Sequence, residues 1–264
     1  MSTTETAARE TEIPQHLPER LRRHWRELAG GGEGEGVFTP GLVRGLPAAA
    51  RRWLLHAIAP GTPLRTRVEL AQHGRIKLGS WRPFTAAQVL APLEGYIWAE
   101  RTGVAGLKVS GYDRLTHGEG EMRHRLLGFL PLVSATGPDL TRAAAGRQAC
   151  EIVFAPAAAL DPSVTWRDVD DRTAVAVVPA HGWSHEVTLT VRPSGELDRA
   201  TLDRWAKVGK GPYRRHPFTA VFEGEGTFDG YTIPTRVIAG YGEGSAAWKD
   251  GAFITQIVDR AVYR

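Results

Sequence analysis

Arg147 and Glu151 are the pair in this chain best spaced to act together. They stand four residues apart in Gly137–Leu160, a segment whose pattern predicts a helix, so their side chains meet on one face. Leu140, Ala144 and Phe154 share that face, and a charge pair inside an apolar stripe is unusual on a helix that only packs. Two readings stand. In one, a buried ion pair fixes the helix to its sheet, and removing either partner strands a charge. In the other, Glu151 is a general acid or base and Arg147 orients it.

A second candidate set is aromatic. Trp81, Phe84, Tyr96, Trp98, Tyr112 and Trp166 could line a ligand pocket or simply fill the core, since aromatic rings bury large areas and Tyr and Trp keep a polar handle. Tyr96 and Trp98 fall on one face of their strand. In His117–Met122 the polar residues His117, Glu119 and Glu121 alternate with Gly118, Gly120 and Met122. The glycine side suits close approach of a helix or ligand, which leaves the polar side solvated.

Other motifs point away from chemistry. His181 and His185 are four apart, but Gly182 between them argues for a turn, and no metal site is expected. Gly182-Trp183-Ser184 is not a nucleophile elbow. Cys150, the single cysteine, reads as a buried thiol and permits no internal disulfide. Neither a dinucleotide fingerprint nor a phosphate-binding loop is present, so no cofactor is expected.

The elements that must position these residues follow from composition and period. Of 264 residues, 42% are hydrophobic and 23% charged, which supports a real core. Thirty glycines and 17 prolines punctuate short segments, favouring many strands. The net charge of +4 is small for a nucleic-acid binder, and the arginines near the start read as a solvated helix face. Residues 1–16 are polar and read as disordered. They hold no apolar export segment, and the expectation drawn from this is a cytoplasmic location.

Residues 17–29 predict a short amphipathic helix through Leu17, Leu21, Trp25 and Leu28. It could dock on the protein's own body or on a membrane surface. Residues 30–36 read as a flexible linker and 46–59 as a second helix. From 65 to 134 and from 163 to 264 the period is two. Pro83–Ala91 and Leu197–Trp205 are expected to be a bend or short helix.

The ordered series Trp81-Arg-Pro-Phe84-Thr-Ala86-Ala-Gln88, Tyr96-Ile-Trp98-Ala99, Gly111-Tyr112-Asp113, Gly118-Glu-Gly120-Glu-Met122, Arg147-x-x-x-Glu151, Pro156, Leu160 and Trp166 resembles a bacterial family of unknown function, many of whose members look membrane-anchored. The resemblance covers about residues 46–264. It implies a shape similar to lipoprotein carriers, a curved antiparallel sheet wrapped around helices, and it implies no activity.

The expectation is therefore an α+β fold: a large, strongly curved antiparallel sheet, a half-barrel or partly closed barrel, with helices on its concave face. Residues 1–36 form an N-terminal segment with a helix and a linker, and residues 37–264 a single ligand-pocket domain. The expected partner is a hydrophobic small molecule rather than nucleic acid. The leading functional expectation is a cofactor-free cyclase or isomerase of specialised metabolism; the alternative is a non-catalytic carrier. Oligomeric state is left open.

Overall fold

The computed structural model describes residues 12–30 and 33–264. The expected disorder of residues 1–16 falls mainly outside the described residues. The chain opens with α1 (Glu19–Ala29), β1 (Glu33–Val37), α2 (Ala48–Ala57) and β2 (Pro63–Arg65). A first run of strands follows: β3 (Val68–Leu78), β4 (Ser80–Ala91), β5 (Gly95–Val104), β6 (Leu107–Thr116), β7 (Glu119–Leu126) and β8 (Leu130–Thr136). Then comes α3 (Pro138–Cys150), with 3-10 turns at Glu151–Phe154 and Pro156–Leu160. The second run is β9 (Thr165–Asp170), β10 (Thr173–Ala180), β11 (Trp183–Val191), β12 (Leu197–Lys207), β13 (Tyr213–Phe228), β14 (Tyr231–Tyr241), the single turn α4 (Trp248–Gly251) and β15 (Ala252–Tyr263).

The two runs form one 13-stranded sheet in the order β8-β7-β6-β5-β4-β3-β15-β14-β13-β12-β11-β10-β9. Every pairing is antiparallel. Each run is a meander, and they join where β15 pairs with β3, from Ile254↔Ile76 to Tyr263↔Val68. Tight turns such as Ala105-Gly106 and Asp229-Gly230 take positive φ at both residues, the backbone that two-residue hairpins require.

β8 and β9 do not pair with each other, so the sheet is not closed. The segment holding α3 carries the chain from one edge to the other. α3 touches β6 and β7 of the first run and β10, β11 and β12 of the second, which a sheet can allow only by curling around it. The helix ends earlier than its apolar pattern suggests. Ala155 precedes Pro156 and leaves the helical region at φ −131°, ψ 69°, because proline crowds the residue before it.

Register defines two faces. Leu70, Phe84, Leu90, Tyr96, Trp98 and Leu115 face α2 and α3 in the main core. Val89, Ala91, Ile97, Ala99 and Tyr112 face the other way and bury Leu17, Leu21, Trp25 and Leu28 of the α1 region. The expectation that both N-terminal helices occupy the concave face is thus corrected for α1. Its leucine and tryptophan stripe is consumed by the convex face, so α1 has no free apolar side for a membrane. Residues 33–36, expected as linker, lie in β1, which pairs with β2, and the segments expected as a bend or helical turn at 83–91 and as a short helix or loop at 197–205 lie in β4 and β12. There, period-two burial on a sheet outweighs local turn and helix signals.

Gly120 faces inward on β7, where a Cβ would lie 2.7 Å from the Thr141 Cα. Close approach of α3 to the sheet therefore needs glycine here. Gly120→Ala should destabilise the protein by roughly 1–3 kcal/mol in urea unfolding, the usual cost of overpacking against backbone; an unchanged midpoint would show that α3 can move away freely.

Candidate functional site

The inner face of β3–β7 carries a run of polar groups midway along the strands, beneath the C-terminal half of α3. The Arg147 Nε donates to Glu151 Oε1 at 2.7 Å, and its NH1 donates to Asp113 Oδ2 at 3.2 Å. The guanidinium carbon lies 4.7 Å from the Tyr96 ring centroid and 5.1 Å from that of Trp98. Two carboxylates and two aromatic faces therefore hold one cation. The other Glu151 oxygen accepts from Gln88 Nε2 at 2.5 Å; Gln88 Oε1 accepts from Gln72, and Gln72 Oε1 accepts from the Trp98 indole at 3.1 Å. On the far side His124 Nε2 stands 3.0 Å from Glu100 and 3.7 Å from Asp113.

Local sequence explains the placement. Tyr96, Trp98 and Glu100 alternate along β5, and Asp113 pairs directly with Trp98. His124 pairs with Gly111, whose missing side chain leaves room for the imidazole. Burial raises the Asp113 pKa against the pull of Arg147 and His124. Burial also disfavours the His124 cation, but the Glu100 hydrogen bond and the Asp113 charge outweigh it, so the His124 pKa is raised. The Cys150 thiol is pushed up to about 12 by burial, with Glu151 adding to the shift, which makes it an inert core group. His185 is pushed down to about 4 by burial and nearby arginines.

Nearer the end of the sheet formed by the turns after β3, β5 and β7, the same face changes character. Leu78, Leu107, Leu130 and Val133 point inward by register, yet are 46%, 44%, 47% and 41% exposed. Ile76, Ile254, Tyr241 and Phe253 pack at the edge of the core there, and Phe218 makes ring contacts with both Tyr241 and Phe253. Both helices lie toward the opposite end: Gly137 enters α3 from the far end of β8, and Ile58 after α2 bridges to Tyr231 at the far end of β14. The sheet thus has a helix-filled end and an open end, where the inward leucines and valine stand beside inward Ser80, Arg82 and Thr102, with the Arg147 network between them.

The residues expected to form one site separate by parity. Arg147, Glu151, Phe84, Tyr96 and Trp98 come together, with Phe84 edge-to-face on Trp98 at 5.6 Å. Tyr112 lies on the opposite face, donating to Glu121 at 3.1 Å under α1, and Trp81 pairs with Lys77, out of phase with inward Phe84. Trp166 is inward but belongs to the other half, 6.3 Å from Trp53 of α2. Glu121, expected in solvent, is 3% exposed and tied to Arg114 and Arg20. Sequence reasoning missed Asp113, Glu100, His124, Gln72 and Gln88 as members of the network; the matching parity of Glu100 with Trp98 was the readable signal.

Arg147→Met should cost about 3–5 kcal/mol in denaturant unfolding, because Asp113 and Glu151 are left buried without their cation; a loss below about 1 kcal/mol would show the pair to be dispensable for the fold. A second test uses pH. A raised folded-state pKa means that the native state holds the proton more tightly, so the stability contributed by His124 is full below the unfolded value of 6.5 and is lost as pH rises through the folded value. The stability advantage of wild type over His124→Gln should therefore shrink between pH 6 and pH 8; an advantage that grows would reverse the assigned direction.

Two solved structures resemble this fold. One is a LolA superfamily protein from Nitrosomonas europaea, at 13% identity and a TM-score of 0.44, covering 87% of this chain and 94% of its own. The other is a domain from Vibrio parahaemolyticus whose description names outer membrane lipoprotein sorting, at 7% identity and a TM-score of 0.39, covering 75% and 85%. The second description names outer membrane lipoprotein sorting for that protein, and the cytoplasmic expectation for this chain is withdrawn. No curated protein matches the sequence. Residues 36–251 match a family of unknown function (DUF6544), and the chain belongs to that family.

Proposed function

We propose that this protein binds a hydrophobic small molecule or lipid at the open end of its curved sheet and carries it unchanged. One observation supports this above others. Inward-facing Leu78, Leu107, Leu130 and Val133 are left 41–47% exposed, while deeper inward residues of β3 and β6 such as Leu70 and Leu115 are buried in the core with α2 and α3. A concave apolar surface that the protein's own helices do not cover suits an apolar guest.

The carrier is preferred to a cyclase or isomerase because the candidate acid/base group is tied into the fold by an ion pair and a hydrogen bond. Both Glu151 oxygens accept hydrogen bonds, from Arg147 and Gln88. A general base needs a lone pair turned toward its substrate. Arg147, with two carboxylates and two rings around it, supports the floor of the binding surface.

The test combines binding with mass spectrometry. A fluorescent fatty acid should bind the purified chain, and Val133→Asp should weaken binding at least tenfold, because a carboxylate in the apolar trough must be desolvated. Leu55→Asp, on the exposed side of α2, should leave binding unchanged. A lipid extract incubated with the protein should return enriched but with masses and retention times unaltered. Equal binding by wild type and Val133→Asp would overturn the site. Conversion of a compound by wild type and not by Glu151→Gln would overturn the carrier in favour of the enzyme.

A further inference from the structure

A second cluster lies on the convex face, away from the trough. His24 and Glu27 stand one turn apart on α1, and His117 occupies the two-residue turn between β6 and β7. One ring nitrogen of each histidine and a carboxylate oxygen of Glu27 lie within 4.8 Å of one another. His117 Nε2 is 3.4 Å from Glu27 Oε2, and the two imidazoles meet edge to face with centroids 4.3 Å apart. We propose that His24, Glu27 and His117 form a binding site for a divalent transition metal, zinc above others, which fastens α1 to the sheet.

Donor chemistry favours this choice. Two imidazoles and one carboxylate, with a fourth position open to water, make a common zinc set. Ligand atoms around tetrahedral zinc stand about 3.3 Å apart, given bonds of about 2.0–2.1 Å. His117 and Glu27 are already at that spacing, and the remaining closure falls on exposed, rotatable side chains.

Outer contacts prepare the ligands. His24 Nδ1 is 3.1 Å from Thr116 Oγ1, which also accepts from Arg114 NH1 at 2.8 Å. If Nδ1–H is the donor, Nε2 keeps its lone pair for the metal, the usual role of a partner behind a ligating histidine. The nearby guanidinium groups of Arg114 and Arg20 are drawn to Glu121, at 2.6 Å and 3.0 Å. Arg23 is the competitor for Glu27, at 3.9 Å.

Isothermal titration of the full chain with zinc chloride near pH 7.5 is the test. One ion per chain is expected, with cobalt giving the visible band of a four-coordinate site. His117→Ala and Glu27→Gln should each weaken binding at least tenfold. His117 is 64% exposed, so its loss leaves the fold intact, which far-ultraviolet circular dichroism checks. Zinc should also slow proteolysis within α1 in wild type and not in His117→Ala. No binding up to millimolar zinc, or equal binding by His117→Ala, would overturn the site.

Discussion

The pairing of β15 with β3 is the contact on which the rest of the molecule depends. It joins two meanders that would otherwise be separate sheets, and it does so between strands nearly two hundred residues apart in sequence. It places the last strand at the centre rather than at an edge. Once it forms, β8 and β9 become the two outer edges, and the segment between them has to cross the concave side. α3 is inside the sheet because of where its neighbouring strands end up. From Ala143 onward its alanines, Gly146, Gln148 and Cys150 are buried, which fits a helix enclosed on nearly every side, one without a strong apolar stripe.

Burial on both faces of the first meander then forces polar groups to find partners. Inside, Arg147 answers Asp113 and Glu151. Outside, Glu121 answers Arg114, Arg20 and Arg123 beneath α1, while Glu69 takes the Trp25 indole and Arg264. These networks fix how α3 and α1 sit, since a shifted helix would leave a buried charge unmatched. Charge pairing here is a matter of position more than of net stability.

The same arrangement leaves one surface without a use for the fold. Helices enter the concavity from one end, so the other end retains inward leucines and a valine that no element among the described residues buries. The proposed ligand carriage would use this exposure, with the polar network beneath it as a floor. The proposed metal site lies on the opposite face and would act on the seating of α1, independent of any guest in the trough.

Sequence by itself determined the antiparallel character, the amphipathic stripe of α1 and the four-residue spacing that pairs Arg147 with Glu151, because each is written in residues close together in the chain. It also aligned Tyr96 with Trp98, as strand parity is local. It did not determine which face of a strand is inside. Tyr112 and Trp81 fell on the convex side, and Glu121 was buried rather than solvated, because a second layer, α1, covers that face. Nor could spacing along the chain bring His117 to His24, or His124 and Asp113 to Arg147. Those meetings depend on strand register and on a helix crossing between sheet edges, and only the tertiary structure decided them.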